Sequence, residues 1–375
     1  MIRQGAIALL GRADIPTDGV KEYCRHLREA LREQGISLAI ERVVWAERGW
    51  RRALRSLRRH ARGWYGTWVL VQYTALAWSG RGFPVRFSRV LHILKAAGAR
   101  IGVVYHDVEP FTGPRFIDYA RRRAQLHAMR RAMDLCDVAV FTVPMEKLSW
   151  MQPHYNHSTF IPVGANLPIA GEAASRESIS SDGKLRIVVF GVTGGDFLQR
   201  EVGEIAEAVR FAASRVKNLR LTVLGRHSKD AETELRRRLE GVSVEIQVLG
   251  LLSNEDVVGS LSSCDVLLFV RGPISTRRGS AIAGIACGLP VIAAEGPETS
   301  SLIKDAGVAF YSPQKKNDLG EVLLHVLQDE HYRASLAQRS WIAQQRYFSW
   351  NVIAARYAEF LKKKDLILMI PCVAQ

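Results

Sequence analysis

Two neighbouring arginines in the second half of the chain are the strongest candidates for binding an anion. Arg277 and Arg278 directly precede Gly279 and Ser280, and small residues continue from there to Cys287. This pattern predicts a short, closely packed helix that begins at Gly279. Because a helix N-terminus favours negative charge, two guanidinium groups beside it form a site suited to a diphosphate. The alternative is ordinary packing of the helix with solvated arginines.

A glycine-rich loop is the second candidate site. Gly191, Gly194 and Gly195 follow an apolar strand and precede a predicted helix, so their backbone amides can bind a diphosphate. The loop has neither the Gly-Lys-Ser/Thr ending of a Walker A loop nor the GxGxxG spacing of a dinucleotide site. It therefore indicates a phosphate contact without identifying the ligand. Arg200 is the nearest cation that follows it.

Polar residues also lie at the ends of predicted strands in the first half. His106 and Asp107 directly follow the strand IGVVY, where a histidine can position or polarise a substrate hydroxyl or phosphate. Asp18 and Gly19 lie where a strand leads into the first helix, so Asp18 either caps that helix or contacts a ligand. Gln72 lies near the end of the strand WVLVQY. We predict that Asp18, Gly19, Gln72 and Asp107 line the cleft where the acceptor binds. For His106 the alternative is a loop histidine bonded to its neighbours.

The elements that must position these residues alternate between strand and helix patterns along the whole chain, which predicts an α/β fold with parallel sheets. In such sheets, ligands bind beyond the carboxyl ends of the strands. The predicted strands are Ile7–Leu10, Ser37–Val44, Trp68–Tyr73, Ile101–Tyr105, Val138–Thr142, Phe160–Val163, Leu185–Phe190, Leu219–Leu224, Val244–Val248, Val266–Phe269, Val291–Ala294 and Val308–Phe310.

The length of 375 residues predicts two domains. We place an acceptor-binding domain at residues 1–170 and a polar linker at 171–183. A donor-binding domain follows at 184–345, and a C-terminal helix with a tail covers 346–375. Helical patterns fill the span from Leu319 to Leu361.

The charge is concentrated in the first domain. The chain has a net charge of +15, and residues 1–170 hold 26 Lys and Arg against 13 Asp and Glu. Such a balance indicates an anionic partner, namely nucleic acid, phosphate groups or a membrane face, and the alternative is a solvated basic surface without a special partner. Five scattered cysteines without a CxxC pair predict neither a metal site nor a disulfide framework. No apolar run is long enough to cross a membrane.

Residues 48–68 hold the densest positive charge. On a helix, Trp50, Leu54, Leu57 and Trp64 fall on one apolar stripe, and arginines cover the remaining surface. This pattern is typical of a helix on an anionic membrane surface. The alternative is a helix whose stripe faces the core of its own domain, and the two interpretations can both hold. The same arginines could contact nucleic acid, but no nucleic-acid-binding module accompanies them, so we expect none.

Several segments in order resemble the family-4 retaining glycosyltransferases of the GT-B architecture. They are DGVKEYCRHLREAL, YHDVEPF, FIPVGANLP, LRLTVLGR, SCDVLLFVRGP with AGIACGLPVIAAEGPE, and RYFSWNVIAARYAEFL. The resemblance covers nearly the whole chain. It implies two Rossmann-like, doubly wound domains that face each other across a cleft.

The resemblance also implies a chemistry. A nucleotide-diphosphate sugar would bind the second domain without a metal or other cofactor, because basic side chains and helix N-termini stabilise the leaving diphosphate. By position, His106 would contact the transferred sugar, Gly19 would line the cleft, and the amides of Gly279 and Ser280 would bind phosphate. Glu298 would match the acidic residue in the loop after VIAA.

Two departures mark a divergent branch. Ser275 and Ala283 stand where the family usually has two glutamates, which contact the sugar and the ribose. Val192 and Thr193 stand where it has an arginine and a lysine. We expect Arg200, together with the two arginines before Gly279, to supply the missing positive charge.

The functional prediction is therefore a hexosyl-type glycosyltransferase with His106, Arg277 and Arg278 as its catalytic residues. It would act on a lipid-linked or polysaccharide-precursor acceptor, in the cytoplasm at the inner face of the cell membrane. The alternatives are a sugar-nucleotide epimerase of the same architecture and a non-catalytic nucleotide-sugar-binding relative.

Overall fold

A computed structural model describes residues 5–169 and 183–368. Their contacts divide the chain into two units, Met1–Pro162 with Trp350–Gln375, and Val163–Ser349. Among the described residues, no helix is long and apolar enough to cross a bilayer.

The first unit contains a six-stranded parallel sheet. Its strands are β1 Gly5–Leu10, β2 Ser37–Arg42, β3 Trp68–Tyr73, β4 Arg100–Tyr105, β5 Val138–Phe141 and β6 Ser158–Phe160. Their order across the sheet is β2-β1-β3-β4-β5-β6. From β1 the chain adds β2 on one side, and from β3 it adds β4 on the other side. The switch point of this sheet therefore lies between β1 and β3, where the loops that follow these two strands separate and leave a crevice.

The helices of the first unit cover this sheet. They are α1 Gly19–Glu33, α2 Trp45–Arg48, α3 Trp50–Ala61, α4 Phe87–Ala96 and α5 Phe116–Leu135, and the chain later adds Trp350–Leu368, which is α13 in chain order. A single-turn 3-10 helix lies at Met145–Lys147. The core joins α3, α4 and α5 to apolar strand residues such as Val71 and Val103.

The second unit repeats this plan. Its strands are β7 Leu185–Phe190, β8 Leu219–Leu224, β9 Val244–Gly250, β10 Val266–Phe269, β11 Val291–Ala294 and β12 Val308–Tyr311. They lie in the order β12-β11-β10-β7-β8-β9 and are all parallel. The switch point therefore lies between β7 and β10.

Seven helices of the second unit connect these strands or follow them. They are α6 Leu198–Ala213, α7 Ser228–Arg238, α8 Asn254–Ser262, α9 Gly279–Ala286, α10 Ser301–Asp305, α11 Asp318–Gln328 and α12 Glu330–Ala343, with a 3-10 turn at Gly195–Phe197 and a π-helical turn at Gln344–Phe348. The small residues of α9 have a steric reason. A Cβ on Gly284 would lie 2.8 Å from Leu267 of β10, so the helix packs directly on the sheet.

The structure confirms the predicted α/β class with two parallel sheets, and it corrects some boundaries. β6 ends at Phe160, earlier than the predicted strand, and Val163 donates its N–H to the carbonyl of Thr276 at 3.2 Å. The second unit begins at Val163 and not after residue 170. The return to the first unit begins at Trp350 instead of 346. Most of the predicted linker, residues 171–182, lies outside the described residues.

Candidate functional site

The glycine-rich loop after β7 is held at the switch point of the second unit by a buried carboxylate. Gly191 and Gly195 have φ angles of +76° and +66°, a backbone conformation that favours glycine. Glu201 of α6 is 1% exposed and accepts a hydrogen bond from the Thr193 N–H at 2.7 Å. Gly194 lies between these two glycines, and a Cβ there would lie 2.8 Å from the ring of His227. The glycines are therefore required by the loop's shape.

Arg271 is a cation at this loop that sequence reasoning missed. It lies two residues after β10, with its Nε 3.5 Å from the Thr193 hydroxyl. Its Nη1 lies 3.3 Å from where a Cβ on Gly191 would be. Burial lowers the pKa of Arg271, the charge of Glu201 raises it, and the charge of Arg226 lowers it. In the sequence, the position of Arg271 just beyond an apolar strand could have identified it as a candidate, since ligands bind at the carboxyl ends of parallel strands.

Arg200 does not contact this loop in the way that the sequence predicted. Its guanidinium lies 5.5 Å from the centre of the Phe197 ring and 3.5 Å from the carboxylate of Glu204. The side chain is 57% exposed. Arg200 and Glu201 are neighbours in the first turn of α6 and therefore point in different directions. Glu201 lies on the buried face of the helix, so the Arg200 side chain points to the surface.

The N-terminus of α9 lies near the loop that follows β10. Gly279 and Ser280 are the first two residues of α9, and Arg278 directly precedes it, so their N–H groups lack carbonyl partners within the helix. A Cβ on Gly279 would meet no atom within 4 Å, which leaves space over this end of the helix. The Nη2 of Arg278 lies 3.9 Å from the Cβ position of Gly272. Two arginines, one glycine loop and a helix N-terminus thus surround one end of the sheet.

Arg277 forms an ion pair with Glu298. Its Nε and Nη2 donate to the two carboxylate oxygens of Glu298 at 2.7 and 2.8 Å. Burial raises the pKa of Glu298, but the hydrogen bonds and charge of Arg277, with the charge of Arg278 and the hydroxyl of Ser275, outweigh burial and keep it below its usual range. Two residues predicted to contact the donor therefore neutralise each other. The pair links the loop before α9 to the loop after β11.

Ser275 and Ala283, which stand where the family usually has glutamates, are both buried in the second unit. Ser275 is 1% exposed and Ala283 is 2% exposed. Ala283 lies on α9, the helix that packs directly against β10. The Arg278 N–H donates to the Ser275 carbonyl at 3.1 Å.

His106 lies in the first unit, at the carboxyl end of β4. Its Nε2 is 2.9 Å from the Gln72 Oε1, so Nε2 carries the proton and donates. Its ring makes an edge contact with Tyr23, with 4.9 Å between centroids. Burial lowers the pKa of His106 to about 4, opposed only by the charge of Asp18. The ring is therefore neutral at pH 7 and suited to hydrogen bonding with a hydroxyl.

Asp18, Gly19 and Asp107 shape the loops around His106. Asp18 caps α1 by accepting from the Lys21 N–H at 3.0 Å, and it pairs with Arg42 at 2.9 Å. Gly19 is the first residue of α1. The Asp107 carboxylate accepts from the Ala75 N–H at 2.8 Å. The capping alternative for Asp18 is therefore what the structure contains.

The returning helix α13 supports His106 through Tyr23. The hydroxyls of Tyr23 and Tyr357 are 2.9 Å apart, and both rings are buried. Trp350, the first residue of α13, lies 5.1 Å from the Tyr23 ring and stacks on His26 at 5.4 Å. The last described helix therefore fixes a side chain that contacts the candidate histidine.

Removing one hydroxyl of this tyrosine pair should destabilise the protein. We expect Tyr357→Phe and Tyr23→Phe each to cost about 1–2 kcal/mol of unfolding free energy, since the remaining hydroxyl is left buried without its partner. The double variant should cost less than the sum of the two. Urea unfolding measures all three variants, with Tyr65→Phe, whose residue is 83% exposed, as the control. Strict additivity would contradict the coupling.

The basic helix α3 uses its apolar stripe within its own unit. Ala53, Leu57 and Ala61 are buried, and Trp50, Leu54 and Trp64 pack against the same core. The arginines remain on the outside, where Arg51, Arg55, Arg58, Arg62, Arg89 and His92 line a groove of about 770 Å³ between α3 and α4. The core-facing alternative is correct for the stripe, and the arginines form a separate cationic surface.

Among the described residues, no group of three or more His, Cys, Asp or Glu side chains could hold a metal ion.

Comparison with known sequences gives matches that cover part of the chain. Residues 186–329 match the family model of glycosyl transferases group 1. The GDP-mannose-dependent monoacylated alpha-(1-6)-phosphatidylinositol monomannoside mannosyltransferase of Corynebacterium glutamicum is 25% identical over 142 residues. That match covers 36% of this chain and 36% of the relative, so it spans just over a third of the relative's length.

Solved structures are similar over nearly the whole chain. Anabaena HepE in complex with UDP has a TM-score of 0.68 at 14% identity and covers 96% of this chain and 100% of that one. Sucrose-phosphate synthase from Thermosynechococcus elongatus has a TM-score of 0.68 at 17% identity, with 97% and 100% covered. The protein thus has the GT-B fold, and its second unit carries the sequence pattern of the glycosyl transferases group 1.

Proposed function

We propose that the protein transfers a sugar from a nucleotide-diphosphate donor held by the second unit to an acceptor held by the first. The observation that carries the proposal is the cationic switch point of the second unit. Arg271 lies against the glycine-rich loop, and Arg278 precedes the open N-terminus of α9. An arrangement of this kind binds a diphosphate and stabilises the charge that develops on it as a leaving group.

The donor assignment has independent support from similar proteins. The structure of HepE contains UDP, and a further structure of it contains UDP-glucose. The curated relative is GDP-mannose-dependent. A nucleoside diphosphate is common to these ligands, and it is the part that the arginines and backbone amides would recognise. The transfer would need no metal, because these groups already supply positive charge.

His106 is the residue we assign to the sugar. Its ring is neutral at pH 7 and Nε2 donates to Gln72, which fixes the orientation of the ring, so Nδ1 can accept a hydrogen bond from a sugar hydroxyl. This role is one of positioning a hydroxyl group, and it fits the retaining chemistry that the family resemblance implies. Family-4 membership and retention of configuration are part of the proposal.

The acceptor we propose is linked to a lipid at the cytoplasmic face of the membrane. The name of the curated relative describes an acylated phosphatidylinositol mannoside as acceptor. The groove between α3 and α4 is lined by five arginines and a histidine, which would favour contact with anionic lipid phosphates. A soluble polysaccharide precursor is the second possible acceptor.

Turnover of a panel of nucleotide sugars by the purified protein, with lipid extract as acceptor, tests the proposal. We expect release of nucleoside diphosphate with formation of a glycolipid, and at least a hundredfold slower turnover for Arg278→Ala, because one charge-stabilising group is lost. A sugar epimerised without acceptor, as followed by nuclear magnetic resonance, would support the epimerase alternative. Absence of both turnover and nucleotide binding would overturn the proposal.

A further inference from the structure

Four large apolar side chains are exposed at the start of α5 and in the loop before it. Phe116 is 88% exposed, Tyr119 56%, Ile117 48% and Phe111 47%. We call these four residues the aromatic cap. Single exposed apolar residues are normal on a protein surface, whereas four within nine consecutive residues, 111–119, favour a contact with another body.

The aromatic cap is held in a defined conformation. The buried carboxylate of Asp118 accepts from the Arg115 N–H at 3.2 Å and pairs with Arg121. Gln125 accepts from the Phe111 N–H at 2.7 Å and donates to the Gly82 carbonyl at 3.0 Å. These bonds tie both ends of the cap to α5 and to the loop before α4. Its exposure is therefore maintained by buried polar contacts.

The surface around the aromatic cap is strongly cationic. Helices α3, α4 and α5 pack side by side on the sheet, and together they contain twelve Lys and Arg residues against two Asp residues. One of these, Asp118, is buried against Arg121; the other, Asp134, lies near the far end of α5. The exposed charge of this helical layer is thus almost entirely positive.

We propose that the aromatic cap inserts into an anionic lipid bilayer, with the arginines of α3–α5 on the lipid phosphates. Aromatic and aliphatic side chains enter the interfacial region of a membrane, and surrounding cations are attracted by anionic headgroups. The positive charge of α3–α5 favours an anionic bilayer over a neutral apolar partner, because a neutral partner would provide no negative charge for the arginines. The inference deepens the membrane contact of the proposed function and adds a segment outside residues 48–68.

Sedimentation with vesicles tests the contribution of the cap. With phosphatidylglycerol and phosphatidylcholine vesicles, the double variant Phe116→Ser/Tyr119→Ser should bind at least about tenfold more weakly than the wild type, because two apolar side chains no longer leave water. The control is Leu251→Ser/Ile342→Ser, which removes two exposed apolar side chains, 52% and 51% exposed, from the second unit. Equal binding of the two double variants would overturn the proposal, as would binding to phosphatidylcholine alone with the same strength.

Fluorescence quenching separates insertion from adsorption. Phe116→Trp should gain quenching by brominated acyl chains over the wild-type protein, whereas Leu251→Trp should not. No difference between these variants would mean that only the arginines contact the lipid, and the cap proposal would fail. Turnover in detergent solution is measured in parallel. A protein that inserts but transfers no sugar would overturn the proposed function and leave this inference intact.

Discussion

Replacing Arg271 with alanine is expected to weaken binding of a nucleoside diphosphate by about ten- to a hundredfold. A hydrogen bond to a charged group contributes about 1.5–3 kcal/mol, and the Arg271 guanidinium lies against the glycine-rich loop where the proposed diphosphate binds. Burial lowers the pKa of Arg271, which reflects a site with little water to screen the interaction. Titration calorimetry with UDP and with GDP measures the effect.

Arg200→Ala is the matched control for this variant. Both residues are arginines of the second unit, but Arg200 is 57% exposed and paired with Glu204, so its loss should change the affinity less than threefold, in line with the small contribution of an exposed ion pair. An equal loss for both variants would show that general positive charge, and not the position of Arg271, determines binding. A larger loss for Arg200→Ala would restore the prediction made from the sequence.

Replacing Glu201 with alanine should destabilise the second unit by about 3 kcal/mol. The carboxylate is 1% exposed, accepts from the Thr193 N–H and interacts with the charge of Arg271. Removing the carboxylate leaves the Thr193 N–H without its acceptor and Arg271 without an opposing charge nearby, and a hydrogen bond to a charged group contributes about 1.5–3 kcal/mol. The glycine-rich loop would also lose its anchor, so nucleotide affinity should fall in the same variant.

Two further variants separate charge from hydrogen bonding at Glu201. Glu201→Gln keeps an acceptor for the Thr193 N–H and should recover part of the stability. Glu204→Ala removes a carboxylate three residues further along α6, where the partner is exposed, and should cost less than about 1 kcal/mol. Thermal and urea unfolding of the full chain measure all three. Equal losses for Glu201→Ala and Glu204→Ala would contradict the role of the buried carboxylate.

The strands and the glycine-rich loop could be predicted because their signals are local. Apolar runs of four to six residues between polar helical segments identify buried parallel strands, and the twelve predicted strands all have counterparts in the structure. The start of α9 at Gly279 was predicted from composition alone. Ends of elements were less accurate, as at β6, because the apolar pattern continues to Val163 beyond Phe160, the last residue paired with β5.

The partners of charged side chains could not be predicted in the same way. The four arginines of the second-unit site are similar in sequence terms. In the structure, Arg277 pairs with Glu298 and Arg200 is exposed, whereas Arg271 and Arg278 lie near the glycine-rich loop and the start of α9. The partner of Arg277 is 21 residues away in the chain, and Thr193 is 78 residues from Arg271. Pairings at such separations depend on strand order.

By itself, the sequence determined the α/β class, the two-domain plan and the excess of positive charge in the first 170 residues, since periodicity and composition are properties of the chain alone. Only the tertiary structure decided which arginine lies at the switch point, that α13 supports His106 through Tyr23, and that apolar residues of α5 stay exposed within a cationic layer. The physical reason is that burial and charge pairing depend on which segments the folded sheet brings together, and the order of strands across the sheet is not a local property.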